Sequence, residues 1–231
     1  MMMPVWKTDD ELFALARREL FTAVVGDVMD KLGARRQFLP QAIQPVSDDM
    51  VVIGRAMPAL VADYFSERVE GHNAVGPKPF GLLFEALDDL RKNEIYLATG
   101  GSPTYALWGE LLSTRAVRLK AAGAVLDGFS RDTNAIRRIG FPVFSMGRYA
   151  QDQGMRGKIV DYRIPIEIGQ VRINPGDIIF GDLDGVCVVP QELEEEAFSG
   201  ALEKVRGENQ VRTALENGMT TVEAFSKFGI M

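Results

Sequence analysis

The chain has 231 residues, 46% of them hydrophobic and 25% charged, enough apolar material for a sizeable core. Lys and Arg total 26 against 32 Asp and Glu, a net charge of −6, and no basic run exceeds two residues, which argues against direct nucleic-acid binding. The single Cys187 excludes an internal disulfide framework and a Cys-rich zinc site; with no signal-like start and no membrane-length apolar run, a cytoplasmic protein away from membranes is expected.

In chain order, DDELFALARRELF carries apolar residues at helical spacing behind an acidic start. FTAVVGDVMDKLG predicts a second helix, with Thr22 as N-cap and Gly33 as C-cap. Strands are expected in MVVIG and RAMPALVADYF, and the turn-rich SERVEGHNAVGPKPFG reads as a loop inserted over a site. FGLLFEALDDLRKN predicts a helix, EIYLATG a buried strand, and YALWGELLSTRAVRLKAAG a helix ending at Gly123. AVLDG then reads as a strand, DTNAIRRIG as a short helix and FPVFSMG as a strand. This β-α-β-α-β order calls for a parallel sheet with right-handed crossovers. The β-branched stretch from Lys158 to Pro190, punctuated by NPGD and LDG, predicts antiparallel hairpins, and a charged helix over about 191–217 follows. Neither a repeat nor a low-complexity linker divides the chain, so one α/β domain over 1–231 is expected, with N-terminal helices at about 8–33.

The stretch GELLSTRAVRLKAAGAVLDGFSRD places a glutamate, Glu110, 21 residues before the pair Arg131-Asp132. One helix out and one strand back return the chain to the same sheet edge, the carboxyl ends of parallel strands where ligands collect. Amides near Gly109, Glu110, Leu111 and Leu112 would lie in a first helical turn, free to bind an anion such as a small carboxylate. An aspartate suits Mg²⁺ or Mn²⁺, which takes one or two protein carboxylates and keeps several waters. A neighbouring arginine can hold a substrate carboxylate or carbonyl and stabilise a developing enolate. The same residues also read as ordinary structure, with Arg-Asp a cap plus surface ion pair and Glu110 a partner for the helix dipole.

The order Gly109-Glu110-Leu111-Leu112, then Gly123-Ala124-Val125-Leu126-Asp127-Gly128, Arg131-Asp132 and Gly140-Phe141-Pro142-Val143-Phe144 resembles the RraA-like family. That family includes class II 4-hydroxy-4-methyl-2-oxoglutarate and 4-carboxy-4-hydroxy-2-oxoadipate aldolases and the regulators of ribonuclease activity A. Supporting matches are Thr22 to Gly33, Gly54-Arg55-Ala56, Asn73 and PGDIIFGDLDGVCVVP, so the resemblance extends from about Leu20 to Glu216. It implies a swivelling β/β/α fold, with trimers or hexamers of identical chains and a site between subunits. It also implies direct metal binding by Asp132, substrate and enolate contact by Arg131, and contact of Glu110 with the metal through water. The amides around Leu111 and Leu112 would bind the pyruvate end, and Glu208 of a neighbouring subunit would complete the water shell, with Glu203 close by as another candidate. The implied reaction is metal-assisted cleavage of a 4-hydroxy-2-oxo acid to pyruvate and an oxo acid, with oxaloacetate decarboxylation drawing on the same enolate stabilisation. The rival implied by the same fold is a non-catalytic inhibitor that binds an RNA-processing endonuclease. Two stretches depart from the family pattern: the longer EGHNAVGPKPFGLLFEALDDLRKNEIYL and the approach GGSPTYALW, both near the expected substrate entrance.

Other chemistry-bearing residues read more simply. His72 is the lone histidine, with no nucleophile marked near it, and reads as a loop residue rather than a phosphohistidine. Asp182 and Asp184 read as turn carboxylates, because the remaining positions of a calcium loop are apolar. Cys187 sits among valines as a buried strand residue, and ELEEE as a solvated helix start. Gly100-Gly101 is too short for a phosphate loop, and no glycine-rich cofactor loop supports methyl transfer.

Overall fold

A computed structural model describes residues 6–64 and 74–230; His72 and Asn73 lie outside the described residues. Thr8 accepts a hydrogen bond from the Glu11 amide and starts α1 (Asp9–Glu19), which buries Leu12, Phe13 and Ala16. Helix α2 (Thr22–Lys31) follows, but Phe21 rather than Thr22 occupies its N-cap. Thr22 instead donates its backbone N–H and its Oγ1 hydroxyl to the Asp182 carboxylate, each at 2.7 Å. A carboxylate from a distant turn therefore does the work of a local cap. Asp182 also accepts the Asp184 amide at 3.0 Å, the turn role its sequence suggested.

Strand β1 (Gln44–Pro45) precedes β2 (Val52–Asp63), one continuous strand where two runs were expected. The middle of the chain contributes α3 (Leu83–Asp88), β3 (Glu94–Thr99), β4 (Ala106–Trp108), α4 (Glu110–Arg118), β5 (Gly123–Ser130), α5 (Thr133–Ile139) and β6 (Val143–Arg148). The last part holds β7 (Gly157–Tyr162), β8 (Ile166–Ile168), β9 (Val171–Ile173), β10 (Ile178–Asp182), β11 (Gly185–Val189), α6 (Glu194–Glu216) and α7 (Thr221–Phe228). Nine of these strands form one mixed sheet. Its centre, β2-β3-β5-β6, is parallel; β3, β5 and β6 are the three strands whose alternation with helices called for a parallel sheet, and β4 lies parallel to β5. β1, β7 and β10 join antiparallel, β11 pairs with β10, and β8-β9 is a separate hairpin.

The sheet is covered on both faces, which explains why β3 is buried at every position. One apolar layer gathers Tyr96, Leu97, Val125, Phe144 and Trp108. The other joins Phe13, Val25 and Met29 to Phe180, Cys187 and Phe198, and so seats α1, α2 and α6. Arg55 locks this second layer by binding Asp9 at 2.9 Å and Glu194 at 2.6 Å. Hydrogen bonding to Asp9 leads in raising the guanidinium pKa above its ordinary value. Among the described residues no helix is long and apolar enough to cross a membrane.

Three further elements differ from expectation. Helix α3 spans only six residues. YALW is not the start of α4: Tyr105 to Trp108 are all buried, and Ala106–Trp108 pairs with β5. Helix α7 was unread, although Thr220 and Glu223 form a reciprocal capping box, a T-x-x-E signal present in the sequence.

Cys187 is fully buried in β11, and burial, reinforced by Asp182 and Asp30, pushes its thiol up to about 12. The thiolate is the reactive form. The folded protein is therefore expected to resist a disulfide-exchange reagent at pH 8 and to react with one thiol per chain only in denaturant; fast labelling of the native protein would contradict this burial.

Candidate active site

Strand β4 solves the spacing of Glu110 and Arg131-Asp132. Because β4 runs parallel to β5, with Trp108 opposite Ser130, both chains leave the sheet side by side. The Arg131 amide donates to the Trp108 carbonyl at 2.9 Å, carrying the pairing one residue past the strands. Gly109 is the extended N-cap of α4, and Asp132 the left-handed N-cap of α5 (φ 59°). Aspartate is among the few residues that enter that region readily.

Asp132 does not cap its own helix with its side chain. Its Oδ2 accepts the Glu110 amide at 3.2 Å and so caps α4. No hydrogen bond to Oδ1 forms among the described residues. The amides of Leu111 and Leu112, in the first turn of α4, have no intrahelical acceptor, so they remain available to an anion. Ser113 closes the turn: its amide and hydroxyl both donate to the Gly109 carbonyl at 3.1 Å, and its hydroxyl accepts the indole N–H of buried Trp108 at 2.8 Å.

Arg131 reaches over this corner, its Nε 3.8 Å from Asp132 Oδ2 and its Nη1 3.0 Å from Asp152 Oδ1. Asp152 was not anticipated. It comes from the connection between β6 and β7, where the Gln151 carbonyl accepts the Ala106 amide at 2.8 Å and Gly154 donates to Asp152 Oδ2 at 2.8 Å. Its neighbour Gln153 is 3% exposed, and the side-chain Nε2 has no hydrogen-bond partner among the described residues. Nothing in RYAQDQGMRGK marks these two residues by type or spacing; only the docking of this connection on β4 brings them in.

Gly109, Leu111, Leu112, Arg131, Asp132, Asp152 and Gln153 line one cavity of about 210 Å³, completed by apolar side chains. This is the room of roughly seven waters, suited to a small acid. The Glu110 backbone belongs to this corner, but its carboxylate accepts from Thr114 Oγ1 at 3.3 Å and does not line the cavity. Glu208 lies on α6, 3.5 Å from Lys204, and within one chain it is not brought to Asp132. Glu203, the other candidate for that role, is on the same helix.

The donor set fits a small hard cation sparingly. Among the described residues no group of three or more His, Cys, Asp or Glu side chains is placed to hold a metal, and the carboxylates lining the cavity are those of Asp132 and Asp152. Asp132 lines the cavity, and a single carboxylate suits Mg²⁺ or Mn²⁺, which needs only one or two.

Gly109 keeps the corner open. A Cβ there would sit 2.7 Å from Asp132 Oδ2 and 3.4 Å from Arg131 Cγ, whereas its extended φ of −154° suits any residue. Gly109→Ala is therefore expected to fold normally while displacing the carboxylate. Misplacement by about 1 Å can lower catalysis about 10²-fold, and a steady-state assay beside a thermal melt would separate this from unfolding.

A family model described as RraA-like, Aldolase/RraA, matches residues 22–188. The chain belongs to the RraA-like family. It is 31% identical over 207 residues to "Protein DlpA" of Legionella pneumophila, a match covering 88% of the chain but only 31% of that longer protein. It is 29% identical over 208 residues to a Halalkalibacterium halodurans protein named "Putative 4-hydroxy-4-methyl-2-oxoglutarate aldolase", covering 90% of each. The fold matches that of Streptomyces coelicolor RraAS2, described as an unusual member of the RNase ES inhibitor RraA protein family, with a TM-score of 0.75, 23% identity, and coverage of 90% of this chain and 99% of that one. At that identity the likeness carries the fold alone. The mixed α/β sheet with flanking helices is thus the fold of this RraA-like chain.

Proposed function

We propose that this chain is a divalent-metal-dependent lyase that cleaves a 4-hydroxy-2-oxo acid to pyruvate and an oxo acid, with oxaloacetate decarboxylation as a side activity. One observation carries the reading: Asp132, Arg131 and the first amides of α4 converge on one small cavity, with a carboxylate oxygen left without a hydrogen bond among the described residues. The aldolase name borne by a relative of similar length supports it. Asp132 would hold the metal directly, and Glu110 and a neighbouring copy's Glu208 would act through water, in a trimer or hexamer. Mg²⁺ or Mn²⁺, when bound, would polarise the 2-oxo group and lower the barrier to enolate formation.

The chain's own groups do the rest. The amides of Leu111 and Leu112, at the positive end of the α4 dipole, hold the substrate carboxylate. Arg131 directs N–H donors at the 2-oxo oxygen, where negative charge develops as the C3–C4 bond breaks. Asp152, 3.0 Å from Nη1, pairs with that guanidinium from the other side. Trp108, packed beneath on Tyr96 and Phe141, gives the corner a buried aromatic floor.

The test is pyruvate release from a panel of 4-hydroxy-2-oxo acids and from oxaloacetate, with Mg²⁺ or Mn²⁺ and with chelator. Release that stops with chelator and returns with metal is expected. Silence on every acid would defeat the lyase reading and favour the binding-protein alternative, for which Asp132 variants should retain partner binding.

A further inference from the structure

The cavity has a second side that the lyase reading leaves unused. Phe80, Leu83 and Phe84 line it together with Leu107 and Leu111. The phenylalanine rings pack on each other at 5.4 Å, and Phe84 and Leu111 remain 51% and 77% exposed. Large apolar side chains held open to solvent beside a charged corner are a surface awaiting an apolar group.

This wall is built rather than incidental. Phe80 adopts φ 60° and Gly81 φ 67°, a left-handed pair that is costly for a bulky residue. Pairing with β7 holds it there: the Phe80 carbonyl accepts the Ile159 amide at 3.1 Å, and Leu82 donates to the Ile159 carbonyl at 2.8 Å. Gly81 cannot carry a side chain, since a Cβ would lie 2.2 Å from that same Ile159 carbonyl oxygen. The far edge of Phe80 also sits against Gly154, in the turn that presents Asp152 and Gln153. Phe80 and the polar corner are therefore set by one folded unit.

Charge points the same way. Among the described lining residues Arg131 is the only cation, against the carboxylates of Asp132 and Asp152. The head of a 2-oxo acid occupies Arg131, and a second carboxylate at the far end would meet phenyl and leucyl side chains. Set against those half-open side chains, it would lose part of its hydration without gaining a cationic partner among the described lining residues.

We propose that the site selects 2-oxo acids with a single carboxylate and an apolar, branched or aromatic tail seated on Phe80, Leu83 and Phe84, in preference to dicarboxylates. This rests on the 2-oxo acid reading of the Arg131-Asp132 corner and adds the class of the distal group.

The test uses unreactive acids, so that it does not depend on turnover. Calorimetric titration of the full chain with Mg²⁺ compares 4-methyl-2-oxopentanoate with 2-oxoglutarate. The branched acid is expected to bind at least tenfold tighter, and Phe84→Arg, at a half-exposed position that tolerates the change, is expected to reverse the order. Equal or tighter binding of 2-oxoglutarate by the wild type overturns the proposal, as does binding of neither acid or an order unchanged in Phe84→Arg. The predicted preference in a protein that releases pyruvate from nothing would leave the specificity standing and remove the lyase activity instead.

Discussion

Asp132→Asn is expected to lower pyruvate release by about 10³-fold or more while leaving the fold intact, on the scale of losing a central electrostatic group. Asparagine suits this test better than alanine for two reasons found at the site. Asp132 sits at φ 59°, where asparagine is tolerated and alanine strained. Its Oδ2 also caps α4 by accepting the Glu110 amide, which a side-chain amide oxygen can still do. The substitution thus removes the charge and keeps the shape, and the unfolding free energy should change by less than about 1 kcal/mol. Urea denaturation beside the rate assay checks both halves. A variant as active as the wild type would show that Asp132 is only a cap.

Arg131→Lys is expected to lower kcat/KM by about 10²- to 10³-fold, the range for losing a positioned donor to a developing oxyanion. The charge survives, so a role limited to long-range attraction would be barely affected. The planar fork does not survive: lysine cannot hold Asp152 and at the same time present a second N–H edge to substrate. Because the Arg131 side chain is partly exposed and its ion pairs face solvent, stability should hold. The informative split is between kcat and KM. A fall in kcat marks transition-state stabilisation, whereas a rise in KM alone marks ground-state binding.

The parts of the molecule legible in the sequence are those governed by local periodicity. The parallel run β3-β5-β6 and its intervening helices follow from apolar runs alternating with amphipathic ones, and Arg131 and Asp132 fall at its carboxyl edge as that order requires. Most of the differences share one cause, partners distant in sequence; α7 is the exception, since its capping box is a local signal. Tyr105 to Trp108 looks like the first turn of a helix because its apolar residues continue into GELL, yet pairing with β5 makes it a strand. That change matters most, since β4 is what sets Gly109 beside Arg131. Thr22 has the residue type of an N-cap but becomes a donor to Asp182, 160 residues away. Asp152 and Gln153 carry no local signal at all, and the carboxylate of Glu110, expected toward the metal, turns to Thr114 within one chain. Glu208 lies on α6 beside Lys204 and is not among the residues lining the cavity within one chain.

The central claim is that Asp132 anchors a metal at the Arg131 corner. Mn²⁺ binding to the wild type and to Asp132→Asn, followed by the loss of the free-ion electron paramagnetic resonance signal, tests it most directly. The account predicts one site per chain in the wild type and affinity at least tenfold weaker in the variant. Equal binding by both proteins, or none by the wild type, would contradict it.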